Sequence, residues 1–270
     1  MEKRTIICYD ITKSKGDRCV QRICEIITSQ QISAAAYALT IEAGEIAIQA
    51  LPGQFLHILC GDGDMLRRPI SISDVSGTQI KIVFDVVGKG TKWLSEKKSG
   101  CLDIIGPLGN GYDFAAGNTL LVGGGIGVPP LLYAAREALG VVDAVLGFRS
   151  REHVILEDQF RSLCKKVHIT TDDGSYGESG SVTAPVERFL ASGDYETVLA
   201  CGPRPMLRCV AKLCQSFGVR CQISLEERMG CGIGACLVCA CRLESEYVSR
   251  YAHVCKDGPV FEASEVVWDE

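Results

Sequence analysis

The sequence has little of what marks nucleic-acid-binding, membrane-spanning or secreted proteins. Its 28 Lys and Arg are outnumbered by 33 Asp and Glu, which gives a net charge of -5, and no basic block offers a surface to nucleic acid. No apolar run reaches the roughly 18 residues that a membrane-spanning helix needs. The first ten residues alternate charged and apolar side chains and lack the apolar core of a secretion signal. These absences predict a cytoplasmic protein that binds neither nucleic acid nor membrane.

Cysteine is the residue type that stands out. The chain has 15 cysteines in 270 residues, an odd number in a chain too long for a small disulfide-stabilised domain. Many of them, such as Cys24, Cys60 and Cys164, have apolar neighbours and are predicted to be small core residues. Five others are grouped near the end of the chain: Cys231, Cys236, Cys239, Cys241 and Cys255.

The hydrophobic pattern divides the chain, whose length suggests about two domains. Short runs rich in Ile, Val, Phe and Leu, separated by turn residues, predict a small antiparallel barrel; they cover residues 24–29, 36–43, 54–60, 70–74, 80–87 and 101–105. A helix is predicted at 91–97. After residue 117, strands at 118–122, 141–148, 167–171 and 197–201 alternate with helices at 129–138, 157–164, 184–191 and 205–217, which indicates a doubly wound parallel sheet.

These patterns predict four segments. Residues 1–18 form an N-terminal extension without an assigned role, residues 19–116 the barrel domain and residues 117–221 the α/β domain. Residues 222–270 are rich in Cys and Gly and leave no room for another α/β unit.

A glycine-rich turn, residues 123–130, follows the first strand of the α/β domain and opens a helix. Gly124, Gly125 and Gly127 would let a phosphate approach the backbone and the helix N-terminus. The spacing is not that of the G-x-G-x-x-G fingerprint, so a tight turn without a ligand is the alternative. Cys201 and Gly202 follow a later strand and could face a flat ring, but a simple loop is equally consistent.

The cysteine group carries the most specific signal. Cys231-x4-Cys236-x2-Cys239, with Cys255 beyond, has the spacing of plant-type [2Fe–2S] proteins. The small residues around it leave room for a loop that wraps a cluster. Zinc and disulfides are the alternatives, although zinc sites usually show two C-x2-4-C halves. Cys241 is expected to point elsewhere and is excluded from the ligands.

The order of these motifs resembles the ferredoxin–NADP reductase superfamily and, within it, the electron-transfer subunits of two-subunit, NAD-dependent dihydroorotate dehydrogenases. The resemblance covers nearly the whole chain from about residue 19. It is carried by residues 51–55, 66–72, 87–91, 106–111, 123–130, 171–175, 201–203, 225–236 and 255–261.

The resemblance implies FAD in the barrel. The residues that would hold the flavin and its phosphates are Arg68, Pro69, Ile70, Ser71, Val83, Phe84, Asp85, Gly90 and Thr91. Asp85 departs from the pattern, because relatives often carry a basic residue there; a contact through its backbone alone is the alternative. From the residues alone, an Arg-Pro-x-Ser sequence is more commonly part of an exposed strand with solvated charges than a phosphate-binding site.

The resemblance also implies a function. A partner subunit with FMN oxidises dihydroorotate to orotate, and electrons pass from that FMN to the [2Fe–2S] cluster, to FAD and to NAD⁺. Two copies of each chain are expected, and no acid–base catalytic residue is assigned here. Arg149 and Arg151 follow the second α/β strand and would suit the 2′-phosphate of NADP, but the resemblance favours NAD.

Two alternatives stay open from the sequence. One is a flavin subunit of a hydrogenase or a transhydrogenase-type ferredoxin reductase, although some of these have Asp where Cys231 stands. The other is a non-redox protein with structural zinc. The cluster loop carries Ile233, Leu237 and Val238, which are expected to contact the partner subunit; packing against the α/β domain is the alternative.

Overall fold

In the computed structural model the described residues are 19–61, 66–244 and 249–268; the predicted extension, 1–18, lies outside them. The first part of the chain forms six strands and two short helices. The strands are β1 (Val20–Gln31), β2 (Ala36–Glu42), β3 (Phe55–Ile58), β4 (Arg68–Ser76), β5 (Gln79–Asp85) and β6 (Cys101–Leu108), and the helices are α1 (Glu45–Gln49) and α2 (Lys89–Glu96).

These strands close into an antiparallel barrel in the order β1-β2-β5-β4-β3-β6. Alternate residues of each strand point inwards, and Leu39, Ile41, Leu56, Ile72 and Ile82 are fully buried in the barrel core. The predicted barrel is therefore confirmed. The helix predicted at 91–97 begins two residues earlier, and α1 was not predicted.

The second part of the chain alternates strands and helices. The strands are β7 (Thr119–Gly124), β8 (Val142–Phe148), β9 (Lys166–Thr171), β10 (Glu178–Ser179), β11 (Thr197–Cys201) and β12 (Arg220–Ser224). The helices are α3 (Val128–Glu137), α4 (Glu157–Leu163), α5 (Thr183–Ser192) and α6 (Arg204–Phe217). All of these strands pair in parallel, as predicted for a doubly wound sheet.

The last part of the chain returns to the same sheet. It contains the hairpin β13 (Ala240–Glu244) and β14 (Ser249–His253), followed by β15 (Val260–Glu262), which pairs antiparallel with β12. The full sheet order is β10-β9-β8-β7-β11-β12-β15. The predicted boundary after residue 221 falls within β12. The cysteine-rich segment therefore shares the sheet of the α/β domain.

Two sets of contacts hold these parts together. From α3, Tyr133 Oη donates a hydrogen bond to the Ala50 carbonyl (3.0 Å), and Arg136 pairs with Asp74 (2.6 Å), both in the barrel. Asn110, just after β6, donates through its backbone N–H to the Gly258 carbonyl (2.6 Å). The barrel therefore contacts both the α/β helices and the cysteine-rich segment. Within the described residues no helix is both long and apolar enough to cross a membrane.

Candidate functional site

The four cysteines of the C-x4-C-x2-C…C pattern come together in the cysteine-rich segment. Cys231, Cys236 and Cys239 lie in the irregular stretch between β12 and β13, and Cys255 follows β14. The Val254 N–H donates to the Cys239 carbonyl (3.0 Å), which joins the two stretches. The thiols lie close together in two pairs, Cys231 with Cys236 and Cys239 with Cys255.

Backbone N–H groups point at these sulfurs. The Ala235 and Cys236 N–H groups donate to Cys231 Sγ (3.2 and 3.3 Å), and the Gly234 N–H donates to Cys255 Sγ (3.2 Å). Partial burial raises the pKa of Cys231, but the N–H bonds outweigh burial and bring that pKa down to about 6. Burial raises the pKa of Cys255 to about 12. The N–H groups of the loop thus stabilise negative charge on Cys231 Sγ.

This donor set fits a [2Fe–2S] cluster. Such a cluster takes four thiolates, two on each iron, so its ligands do not converge on one point. In the parts of the chain that the structure describes, no three His, Cys, Asp or Glu side chains converge on a single metal ion. The paired thiols therefore match a two-iron cluster better than mononuclear zinc, whose ligands surround one ion.

Cys241 lies in the same core cluster as Cys239 and Cys255, but on a strand and not in the cluster loop. It is on β13, paired with Ala252 of β14, and its side chain is buried in the core of this segment with Leu243. Burial raises the pKa of its thiol to about 11. The exclusion of Cys241 from the ligands stays a prediction.

Arg68 lies beside the start of α2 at one side of the barrel. A Cβ added to Gly90 would lie 2.6 Å from Arg68 Nε, so the guanidinium lies directly against the first turn of the helix. Thr91 Oγ1 accepts hydrogen bonds from the N–H groups of Val87 (3.0 Å) and Gly88 (3.2 Å) and thereby shapes this turn. A guanidinium beside free N–H groups of a helix start suits a pyrophosphate.

The remaining predicted flavin residues divide between the two faces of their strands. On β4, Ile70 points into the barrel core, while Pro69 and Ser71 are on the outer face. On β5, Val83 packs with residues of the α/β part, whereas Phe84 is in the barrel core beside Tyr37, with ring centroids 6.2 Å apart. Ile70 and Phe84 can therefore face an outer ligand only through their backbones.

Asp85 ends β5 on the same face as Val83. Burial raises the pKa of its carboxyl group, partly offset by His153 and Arg149, which lie nearby in the loop after β8. The Asp85 side chain therefore interacts with the α/β part of the chain. Arg151, from the same loop, lies over the Tyr176 ring (5.6 Å). The two arginines predicted to face a 2′-phosphate thus have neighbours within the chain: Asp85 for Arg149 and Tyr176 for Arg151.

The glycine-rich turn and the Cys201-Gly202 turn pack against each other at the carboxyl ends of β7 and β11. A Cβ on Gly127 would lie 2.5 Å from the Gly202 nitrogen. Gly125 has φ +53°, and a Cβ there would meet no atom within 4 Å, so the turn is open at this point. The sheet order reverses between these strands, which is where ligands bind in open α/β sheets. Burial raises the pKa of Cys201 to about 12, so its thiol is neutral.

His57 is a buried residue that the sequence did not single out. It lies on β3 between the core residues Leu56 and Ile58 and is only 1% exposed. Among the described residues, neither ring nitrogen makes a hydrogen bond of ordinary geometry. Burial and the nearby charges of Arg67 and Arg68 lower its pKa to about 4. In the sequence, His57 is distinguished only as one polar residue within an apolar strand. A histidine in such a strand is usually a core residue without a functional role.

The fold and the site define a class: a ferredoxin-reductase-type oxidoreductase with an added iron–sulfur segment. The structure superposes on the NADH-dependent reduced ferredoxin-NADP oxidoreductase with a TM-score of 0.83, at 30% identity, covering 92% of this chain and 90% of that one. A ferredoxin reductase of carbazole 1,9a-dioxygenase matches with a TM-score of 0.63 at 20% identity over 74% of this chain and 67% of that one, which supports the fold alone.

Residues 226–267 match the family model described as the iron–sulfur cluster binding domain of dihydroorotate dehydrogenase B. The chain is 42% identical over 247 residues to the dihydroorotate dehydrogenase B (NAD(+)) electron transfer subunit of Caldanaerobacter subterraneus, covering 90% of this chain and 97% of that one. It is 41% identical over 254 residues to the subunit of the same name from Bacillus caldolyticus, covering 90% of this chain and 96% of that one. The chain belongs to the family of dihydroorotate dehydrogenase B electron transfer subunits, which confirms the resemblance found in the sequence.

Proposed function

We propose that this chain passes electrons from the FMN of a dihydroorotate-oxidising partner subunit to NAD⁺, with one [2Fe–2S] cluster and one FAD bound. Family membership supports the overall activity. The observation that carries the proposal is the arrangement of Cys231, Cys236, Cys239 and Cys255 as two neighbouring pairs of thiols, with N–H groups directed at Cys231 Sγ and Cys255 Sγ. The flavin supplies the conversion between a two-electron hydride and single electrons.

The chain's own residues bind and orient these groups. The Arg68 guanidinium and the first turn of α2 would hold the FAD pyrophosphate, and Pro69 and Ser71 would border the flavin from the outer face of β4. Val83 and the backbone of Asp85 would border the cleft on the side of the α/β part. The open turn at Gly125, with Gly124, Gly127, Cys201 and Gly202 behind it, would receive NAD(H). We favour NAD over NADP because the relatives with about 40% identity are named as NAD(+)-dependent.

The cluster loop provides the surface for the partner subunit. Leu237 is 76% exposed and Val238 and Ile233 are also exposed, although the loop is otherwise made of small residues. A cluster can exchange electrons with the next cofactor only at close approach, so its loop should lie in the interface. Apolar side chains exposed on such a loop support docking there rather than packing against the α/β part. We place two copies of each chain in the complex.

The cysteines also support a cytoplasmic location. The chain carries 15 cysteines, and four of them must stay reduced to bind iron, which favours the reducing cytoplasm.

Co-expression with the FMN-bearing subunit tests the assignment. The tagged chain should retain that subunit through purification, and native mass spectrometry should give two copies of each. The complex should contain FAD, FMN, two irons and acid-labile sulfide per pair of chains. A colourless chain that holds zinc and no flavin would refute the proposal.

The second candidate is a flavin subunit of a ferredoxin-linked oxidoreductase or a hydrogenase. The 30% identity with the ferredoxin-NADP oxidoreductase favours it, but less than the 42% identity with the dihydroorotate dehydrogenase subunit favours the first. Reduced ferredoxin that supports NADH formation without the FMN-bearing subunit would favour this second candidate.

A further inference from the structure

His57 lies where the barrel meets the cluster loop. A Cβ added to Gly232, the residue after Cys231, would lie 2.5 Å from His57 Nδ1 and 2.9 Å from its Cε1. The Nδ1–Cε1 edge of the imidazole therefore faces the loop directly, and residue 232, with φ +74°, carries no side chain that would separate them. The barrel places a polar edge against the segment that wraps the cluster.

This edge is polar and makes no hydrogen bond of ordinary geometry to a described residue. Both His57 ring nitrogens are buried without such a bond, although the Arg67 backbone lies close enough to act against the lowering of the ring's pKa. A neutral imidazole has one N–H donor and one acceptor nitrogen, and leaving a buried donor without a partner costs about 1–3 kcal/mol. Such a group calls for a partner that binds beside it.

The surrounding bonds point to sulfur as that partner. The N–H groups of Gly234, Ala235 and Cys236 already donate to cysteine sulfurs, and all of them belong to the loop itself. His57 approaches the same loop from β3, where its register partner is Pro69 of the predicted flavin strand. It is the side chain that connects the strand pair of the flavin site with the cluster loop.

We propose that His57 donates a hydrogen bond through Nδ1 to a sulfur of the [2Fe–2S] cluster and so raises the cluster's reduction potential. The inference rests on the proposed cluster site and deepens it. A hydrogen bond to sulfur stabilises the reduced cluster more than the oxidised one, because reduction adds negative charge, and such bonds are among the factors that set these potentials. His57 is thus a positioning residue for electron transfer, not a ligand.

Two substitutions separate the hydrogen bond from the packing of the ring. His57→Leu fills the space without a donor, and His57→Asn keeps an N–H close to the Nδ1 position. In the purified complex, His57→Leu should retain iron and FAD but shift the cluster potential to a more negative value, measured by redox titration with EPR detection. His57→Asn should return the potential toward that of the native protein. The FAD potential should not move in either variant.

A second measurement covers the case in which the variants do not fold. Pulsed EPR of the native reduced cluster, in protein labelled with ¹⁵N-histidine, should show a coupling to one histidine nitrogen. His253 is the matched control, since it lies two residues before Cys255 and its Nε2 is also buried and unpartnered. The coupling should survive His253→Gln and disappear in any His57 variant that folds.

The outcomes are distinct. A native complex without an EPR signal from a [2Fe–2S] cluster would overturn the proposed function. A native cluster that shows no histidine coupling, or a His57→Leu cluster with the native potential, would overturn the role of His57 alone. A shift in the FAD potential with an unchanged cluster would also overturn it.

Discussion

At the residue scale, the thiols proposed to bind the cluster differ in acidity. Cys231 has a pKa lowered to about 6 by N–H bonds, whereas burial and the neighbouring Cys239 thiol raise the pKa of Cys255 to about 12. Thiolates are the ligands, so cluster assembly must remove a proton from Cys255. Cys231, whose pKa is lowered, gives up its proton more readily.

Cys239→Ser should abolish the cluster, because it removes one of the four converging sulfurs. We expect loss of iron and of the visible absorbance that the cluster contributes, measured on the purified complex. Cys241→Ser is the matched control, since this buried thiol lies two residues away in the same core cluster but on β13, outside the C-x4-C-x2-C spacing. Iron lost from the Cys241 variant and kept by the Cys239 variant would contradict the ligand set.

Arg68→Ala should weaken FAD binding by about ten- to a hundredfold. A charge-assisted bond to phosphate contributes roughly 1.5–3 kcal/mol, and about 1.4 kcal/mol corresponds to a factor of ten in affinity. The measurement is a fluorescence titration of the flavin-free protein with FAD. Arg22→Ala removes a guanidinium from a surface ion pair with Glu45 on the same barrel and should leave FAD affinity unchanged; equal affinities for both variants would refute the role of Arg68.

Site residues that lie close together in the sequence could be predicted from their spacing. Site residues that meet only through the fold could not. Cys231, Cys236 and Cys239 lie within one loop, so their spacing alone indicates the ligand. His57 reaches that loop through the pairing of β3 in the barrel and the path of a segment about 175 residues later, and no local pattern records such a meeting. The side-chain directions of Ile70 and Phe84 likewise follow from barrel closure.

At the scale of elements, the alternating patterns predicted most strands and helices. The exceptions depend on tertiary pairing or on length. Helix α1 has only five residues, and β15 has three and becomes a strand because β12 presents a free edge to it. β1 begins at Val20, earlier than predicted, where it pairs with β6. Neither pairing partner is visible in the local sequence.

The turn between β7 and α3 depends on a close approach that only glycine allows. Gly127→Ala places a Cβ 2.5 Å from the backbone nitrogen of Gly202, and we expect a loss of about 1–3 kcal/mol in the free energy of unfolding, typical of overpacking. Urea denaturation measures this loss, and NADH affinity should fall with it because the two turns form one site. Native stability in this variant would show that the turns are free to separate.

At the scale of the whole molecule, the cluster loop should be the contact with the partner. Ile233→Glu should weaken association with the FMN-bearing subunit, because it puts a charge into an apolar contact, while NADH-dependent dye reduction by the isolated chain should persist. Leu139→Glu is the control, as Leu139 is 77% exposed and lies in the loop after α3. Size-exclusion chromatography that shows the Ile233 variant pairing normally would place the docking surface elsewhere.

The arrangement of the whole chain suits a row of neighbouring cofactors. The cysteine-rich segment is joined to the barrel at Asn110 and Gly258 and to the α/β sheet through β15. Each proposed cofactor site therefore borders the next part of the molecule, as a chain of cofactors requires. The arrangement could be anticipated from motif order, but the shared sheet could not.

The most direct test of the central claim is NADH formation by the reconstituted complex. Under anaerobic conditions, dihydroorotate and NAD⁺ should give orotate and NADH in equal amounts when this chain is combined with the FMN-bearing subunit. Without this chain, or with Cys239→Ser in its place, dihydroorotate should still reduce the FMN but form no NADH. NADH formed at the native rate by the Cys239→Ser complex would contradict an electron path through this chain's cluster.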